Sequence, residues 1–398
     1  MTKFSVVITH YNQMNYIEEA IKSVCNQNYK SVELIVADDC SKDFKKNIVK
    51  NMIKKYNKHN FEYKIYSGVT NLGTVKNLNN ALELATGEFI LFFAADDRLS
   101  NKNVLKNFYR EFKDCTKNII TAQCNLYDNK LKKLETKYVN IKKALNLNSM
   151  SSLKQFEKMA EGCFYGSGGT AYRKLVFEKY GKFNEKYKYV EDWAYWLYVL
   201  RNGEKIYFSN FDALDHRDGG ISHSVYTQDT IPSHVKQYYK DILNIYENEV
   251  LLYMESFTIP EQYRILKQQN ETILYYSCFV PELQKYLQNF DKARLANKKI
   301  EWYWRMHTIK HLFFEILNPH IIYKIKILFK YNRVVPITFI IWFLISLLLS
   351  LKLSMNSILF LLFIISLYII IYYIVYCMDK LIYQLLKILK LKGVKKNV

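Results

Sequence analysis

Three acidic pairs are the residues of this chain best placed to do chemistry. Asp38-Asp39 follows the apolar run Val32-Glu33-Leu34-Ile35-Val36-Ala37. Asp96-Asp97 follows Phe89-Ile90-Leu91-Phe92-Phe93-Ala94-Ala95. Glu191-Asp192 stands among aromatics in Tyr187-Lys188-Tyr189-Val190-Glu191-Asp192-Trp193-Ala194-Tyr195-Trp196. Neighbouring carboxylates at the end of a buried strand are costly unless cations or hydrogen-bond donors meet them. Asp96-Asp97 suits a divalent cation, Mg²⁺ or Mn²⁺, that keeps ligand phosphates in its shell; a pair satisfied only by loop amides is the simpler alternative. A carboxylate at a helix start in an apolar pocket suits a general base, and an ordinary acidic first turn would look the same.

Other segments add polar groups. Val6-Val7-Ile8-Thr9-His10-Tyr11-Asn12 delivers Thr9 and Tyr11 to a strand end, where a phenol ring can stack on a base and a hydroxyl can bond its edge. Asp38 and Asp39 can accept from a nucleobase N–H or a ribose hydroxyl. Ser41 is expected to cap the following helix. Gly73 offers a turn and Gly87 a helix stop. Gly166-Ser167-Gly168-Gly169 reads as a close-approach loop. His216-Arg217-Asp218-Gly219-Gly220-Ile221-Ser222-His223 places two imidazoles and a guanidinium beside glycines, a set suited to a diphosphate or a metal.

These residues need a scaffold. Strands are expected at 4–9, 32–37, 63–66, 89–93 and 119–123, with helices near 15–27, 43–58, 74–85 and 101–113. Such alternation predicts an α/β sheet of mainly parallel strands whose ligand site lies at their carboxyl ends. From about Pro232 to Asn318 the pattern is helical, rich in Tyr, Gln, Asn and Lys.

Taken in order, Thr-His-Tyr-Asn, Asp-Asp-Cys-Ser-Lys-Asp, Asn-Leu-Gly, Ala-Thr-Gly-Glu, Ala-Asp-Asp and Glu-Asp-Trp resemble the family 2 glycosyltransferases of the GT-A fold, over roughly residues 1–225. The resemblance implies a nucleotide-sugar donor, most simply a UDP-sugar, a divalent metal and inversion at the anomeric carbon. It implies nucleoside contacts from Thr9, Tyr11 and Asp39, and contacts to metal, ribose and diphosphate from Asp96 and Asp97; the reading of the residues themselves adds Asn12 and Asp38 to the nucleotide set and His216 to the metal set. Asp192 would be the catalytic base. Glu191, Trp193, Gly168, Gly169, Arg217 and His223 would meet the acceptor or the diphosphate. Two departures stand out. Ala94 replaces an Asp found in many members, so the metal site is expected to rest on Asp96 with fewer protein ligands. No Gln-x-x-Arg-Trp follows Asp192, which favours addition of a single sugar.

The far end of the chain reads differently. Val334–Leu351 and Ser357–Cys377 are uncharged runs of 18 and 21 residues, separated only by Lys352-Leu353-Ser354-Met355-Asn356. About 20 apolar residues span a bilayer, so these predict an antiparallel membrane hairpin; a buried soluble hairpin would need a large apolar partner. The formal net charge is +20, and residues 301–398 hold 13 Lys/Arg against 3 Asp/Glu, half of that excess. Because the basic residues bracket the apolar runs, the expected partner is a membrane and not nucleic acid, with both termini and the catalytic unit cytoplasmic.

The expected organisation is a GT-A domain at 1–228, a helical region at 229–318 and an interfacial helix at 319–333. Spans at 334–351 and 357–377 and a basic tail at 378–398 complete it. Seven scattered cysteines without a CxxC argue against a zinc site and a disulfide framework. No signal peptide is expected at the N-terminus.

Together these features predict transfer of one sugar to a hydroxyl of a lipid-linked saccharide at the inner leaflet, in surface polysaccharide assembly. Transfer to polyprenyl phosphate is the alternative, and an inactive nucleotide-binding membrane scaffold a second. A homo-oligomer is compatible with all of these.

Overall fold

Buried β-branched runs make the centre of the sheet. Strands β1 (Phe4–His10) and β2 (Val32–Asp38) are covered on both faces, and β2 is buried at every position. Continuous apolar sequence of this kind marks a parallel strand with helices on both sides. The helices obey the complementary rule. In α1 (Ile17–Cys25), Ile17, Ala20, Ile21 and Val24 turn one face inward while Glu18 and Glu19 occupy the first turn, where the helix dipole favours them.

The computed structural model describes residues 2–218, 230–295, 298–304 and 306–307, which all fall within one compact unit, Met1–His307. The hairpin expected at 334–377, its flanking helix and tail, and His223 lie outside the described residues. Among the described residues no helix is long and apolar enough to cross a membrane.

After β2 come α2 (Lys46–Tyr56), β3 (Glu62–Ser67), α3 (Thr74–Leu84), β4 (Phe89–Ala94), the short β5 (Arg98–Leu99) and α4 (Val104–Phe112). Next are β6 (Ile119–Tyr127), β7 (Leu134–Lys137), α5 (Ile141–Asn148), α6 (Ser152–Ala160), β8 (Thr170–Arg173) and α7 (Lys174–Tyr180). The order closes with α8 (Glu191–Arg201), β9 (Ile206–Arg217), α9 (Ser233–Ile245), α10 (Ile259–Ser277) and α11 (Tyr286–Leu295).

The sheet runs β3-β2-β1-β4-β8-β6-β9-β5, with β7 beside β6. Strands β3, β2, β1 and β4 are parallel. Strand β8 pairs antiparallel with both β4 and β6, whereas β6 and β9 are parallel. The expected mixed, mainly parallel α/β sheet is present with strands at the expected positions, β6 included; β5, β7, β8 and β9 are the strands that the alternation did not reveal.

Two local expectations are corrected. Helix α2 begins at Lys46, so Ser41 does not cap it; the Ser41 hydroxyl instead donates to Asp38 and accepts from the Asn12 N–H at 2.7 Å. Gly87 does not stop a helix. A Cβ there would stand 2.6 Å from the main-chain nitrogen of Ser5, so glycine is required by the close approach of the β4 lead-in to β1.

The helical segment shares the core of the sheet. Ile245, Tyr246, Val250, Phe257 and Ile265 pack in the same apolar cluster as Trp193 and Trp196 of α8.

Candidate active site

The carboxyl ends of β1, β2, β4 and β9 and the start of α8 bring the acidic pairs to one edge. A cavity of about 260 Å³ opens there, walled by Phe93, Ala94 and Asp97, by Gly166, Ser167 and Gly168, by Glu191 and Asp192, and by His216. Tyr138, Tyr165, Tyr189 and Tyr238 supply its aromatic surface.

Asp96 and Asp97 sit in the turn from β4 into β5. Turn geometry comes from the Asp97 N–H donating to Ala94 O at 3.0 Å, while the Ala95 N–H donates to Thr9 O at 2.8 Å. Pairing of β5 with β9, Arg98 opposite Asp215, then fixes the exit direction. The Asp97 carboxylate lies 3.0 Å from His216 Nδ1 and accepts the Arg217 N–H at 3.0 Å. Burial, and next the charge of Asp97, raises Asp96 to about 6; the Gln13 side chain pulls the other way. Burial would lower His216, but the charge and hydrogen bond of Asp97 prevail and raise it to about 9.

The two acids of the first pair differ. Asp38 is fully buried; it meets His10 Nδ1 at 2.8 Å and accepts from the Ser67 hydroxyl at 2.8 Å and from Ser41. It knots the ends of β1, β2 and β3 together, which corrects the expectation that both acids face a ligand. Asp39 accepts the Leu72 and Gly73 N–H groups, each at 2.8 Å, and so holds the loop before α3. Gly73 adopts φ +87° there, as a turn glycine can. Burial raises the Asp39 carboxyl, against those two N–H groups. Tyr11 is 48% exposed and Thr9 donates to Phe93 O at 3.4 Å. Asn12 takes φ +54° and ties this loop to the one after β2. Tyr189 bridges the two halves: it lines the cavity, and its phenol is raised by burial first, then by Asp241, Tyr11 and Asp39.

Glu191 and Asp192 open α8. Burial raises both, Asp192 to about 6 and Glu191, which also feels Asp192, to about 8. Trp193 does not join them in the cavity wall. It is buried in the core, donating its indole N–H to Met159 O at 2.9 Å and meeting Tyr246 edge-on at 5.1 Å. Its role is to anchor α8 onto α6.

Arg217 is a further correction. Its side chain is buried, with Nε donating to Asp96 O at 2.9 Å, Nη1 to Asn129 O at 2.7 Å and Nη2 to Glu19 at 2.9 Å. The guanidinium also lies 4.4 Å from the Tyr16 ring. Five donors in a fixed fork suit such a clamp, and the group is not presented to a diphosphate. The glycine loop is also a packing device. A Cβ at Gly168 would stand 2.5 Å from Leu214 Cδ2, and one at Gly169 would stand 2.6 Å from Cys124 Sγ. Gly166, Ser167 and Gly168 therefore lie flat against β6 and β9 and leave the cavity open above them.

Sequence reasoning missed the contribution of α9. Tyr238 and Ile242 line the cavity. Asp241, fully buried between them, accepts the Lys188 N–H at 2.7 Å and the Tyr189 N–H at 2.8 Å, just before Glu191. Tyr187 is held in turn by donating to Glu249 at 2.9 Å. The signal was faint: a single acid, Asp241, in a helix of mixed polar and apolar residues.

Among the described residues no group of three or more His, Cys, Asp or Glu is arranged to hold a metal alone. The donor set still suits Mg²⁺ or Mn²⁺, which need only one or two carboxylates when substrate phosphates complete the shell.

Parts of the chain are similar to known proteins. Residues 5–181 match the model of the glycosyl transferase family 2 domain. A segment of 105 residues is 37% identical to GalNAc(5)-diNAcBac-PP-undecaprenol beta-1,3-glucosyltransferase of Campylobacter jejuni, covering 25% of this chain and 31% of the relative. Another of 109 residues is 38% identical to poly(ribitol-phosphate) beta-N-acetylglucosaminyltransferase TarS of Staphylococcus aureus, covering 27% and 18%. The matched chain thus spans less than a third of the length of these curated relatives. Residues 1–349 of S. aureus TarS, solved in complex with UDP-GlcNAc, align with a TM-score of 0.46 at 18% identity, over 76% of this chain and 89% of that one.

Proposed function

We propose that the chain is an inverting, metal-dependent glycosyltransferase that moves one sugar from a nucleotide-sugar, a UDP-sugar, to a hydroxyl of a lipid-linked saccharide. Asp192, ionised, takes the proton of the acceptor hydroxyl as that oxygen attacks the anomeric carbon. The nucleoside diphosphate departs on the opposite face, and the proton resides on the Asp192 carboxyl. Glu191, more strongly raised, stays protonated at neutral pH and leaves Asp192 as the base. Asp39, Thr9 and Tyr11 take the nucleoside, with Tyr11 free to stack. Asp96 and Asp97 would hold Mg²⁺ or Mn²⁺, which supplies charge stabilisation for the leaving diphosphate when bound. His216, kept cationic by Asp97, donates toward the same group.

The observation that carries this reading is the meeting of Asp97 and His216 with Glu191 and Asp192 on one cavity wall. The family match and relatives named for transfer to an undecaprenol-linked saccharide and to poly(ribitol-phosphate) support a role in surface glycan assembly. The two apolar runs at 334–351 and 357–377 support a membrane-anchored enzyme with its site at the inner leaflet. The test is nucleotide release by the full chain from UDP-, GDP- and dTDP-sugars with Mn²⁺. Turnover of a UDP-sugar, abolished by EDTA and restored by Mn²⁺, is expected. Failure with every donor would leave only nucleotide binding.

A further inference from the structure

We propose that α9 is the acceptor-side wall of the cavity and that it selects a neutral saccharide over an anionic acceptor. The inference rests on Asp192 being the base, since the acceptor hydroxyl must reach that residue. Tyr238 and Ile242 stand four residues apart on α9, hence on one helix face, and both line the cavity with Glu191 and Asp192. Between them Asp241 binds the N–H groups of Lys188 and Tyr189, so the helix that offers the aromatic surface also fixes the loop that leads into the acids. Tyr138 and Tyr189 extend the aromatic surface.

The chemistry of the wall sorts acceptors. Its carboxyl and imidazole groups, among the described residues, are those of Asp97, Glu191, Asp192 and His216, and the imidazole is paired with Asp97. A pyranose has an apolar C–H face for Tyr238 and hydroxyls for the carboxylates, and needs a base to ionise its nucleophile. A phosphate monoester is already ionised, gains nothing from a base, and would meet the charge of the ionised Asp192 at short range. The geometry therefore points to a sugar hydroxyl as nucleophile and away from polyprenyl phosphate.

Ligand-observed saturation-transfer NMR on the purified full chain tests this, using methyl glycosides and disaccharides of glucose, galactose and N-acetylglucosamine as probes. At least one neutral glycoside is expected to receive saturation on its ring C–H protons. Tyr238→Ala should weaken that binding about tenfold, and Tyr238→Phe, which keeps the ring, should retain it. Dimethylallyl phosphate should not displace the glycoside from the wild type, a result that needs no folded variant. Glycoside binding equal in wild type and Tyr238→Ala, no binding of any glycoside, or displacement by the phosphate would each overturn the proposal. Nucleotide release, assayed in parallel, tests the transferase reading separately: glycoside binding that depends on Tyr238 without turnover of any donor would count against that reading alone.

Discussion

The Asp97 carboxylate lies 3.0 Å from Nδ1 of His216, although the two residues leave the sheet on strands separated by β8 and β6. It also accepts the main-chain N–H of Arg217. One buried side chain thus ties the end of β4 to the end of β9 and holds a cationic ring at the cavity. Asp97→Asn keeps the shape and removes the charge. Sugar transfer should fall by about 10²-fold, while the melting temperature moves by only a few degrees. Paired rate and melting measurements check this; wild-type turnover would remove Asp97 and His216 from the chemistry.

The pH dependence of turnover should report Asp192. Burial raises it to about 6. A base acts only when ionised, so the rate should rise about tenfold per pH unit below that value and level off above it. Stability runs the opposite way. An unfolded Asp titrates near pH 4, so the cost of holding the ionised form in the fold is absent below about pH 4 and complete above about pH 6. Asp192→Asn should therefore melt higher than wild type at pH 8, with the difference vanishing near pH 4. Melting curves across that range decide it.

Asp241 should act at a distance from the reacting atoms. Its carboxylate holds the Lys188 and Tyr189 N–H groups ahead of the catalytic pair. Asp241→Ala frees that loop, and kcat should fall about tenfold or more, with the donor KM within about twofold of wild type. Asp241→Asn retains an oxygen for both N–H groups and should recover most of the rate. Equal losses in both variants would contradict a positioning role.

Arg217 should prove structural. With contacts to Asp96 O, Asn129 O and Glu19, Arg217→Ala should lower stability by about 2–4 kcal/mol, and Arg217→Lys should restore little because the fork geometry is lost. Chemical denaturation measures this directly.

How much of this was legible in the sequence varies with the physics involved. Strands β1, β2 and β4 were plain because burial on both faces forces unbroken apolar runs. Strand β9 was not: Ile206–Arg217 alternates irregularly, with register shifts against β6 near Thr121–Cys124. The paired acids were visible because side-by-side carboxylates after apolar strands are rare, yet Asp38 and Asp39 looked equivalent. Only tertiary structure shows that Asp38 faces His10 and Ser67 whereas Asp39 faces the Gly73 turn. Arg217 looked like a phosphate ligand because sequence gives its charge and not its partners. Asp241 was hidden because its partners are main-chain groups more than fifty residues away.

The claim on which the rest depends is that Asp192 removes the acceptor proton. Its most direct test is the transfer rate of purified Asp192→Asn from the UDP-sugar that the wild type uses, with donor affinity measured alongside. The account predicts a loss of about 10³-fold or more in kcat with UDP-sugar affinity retained. A rate within severalfold of wild type would contradict it.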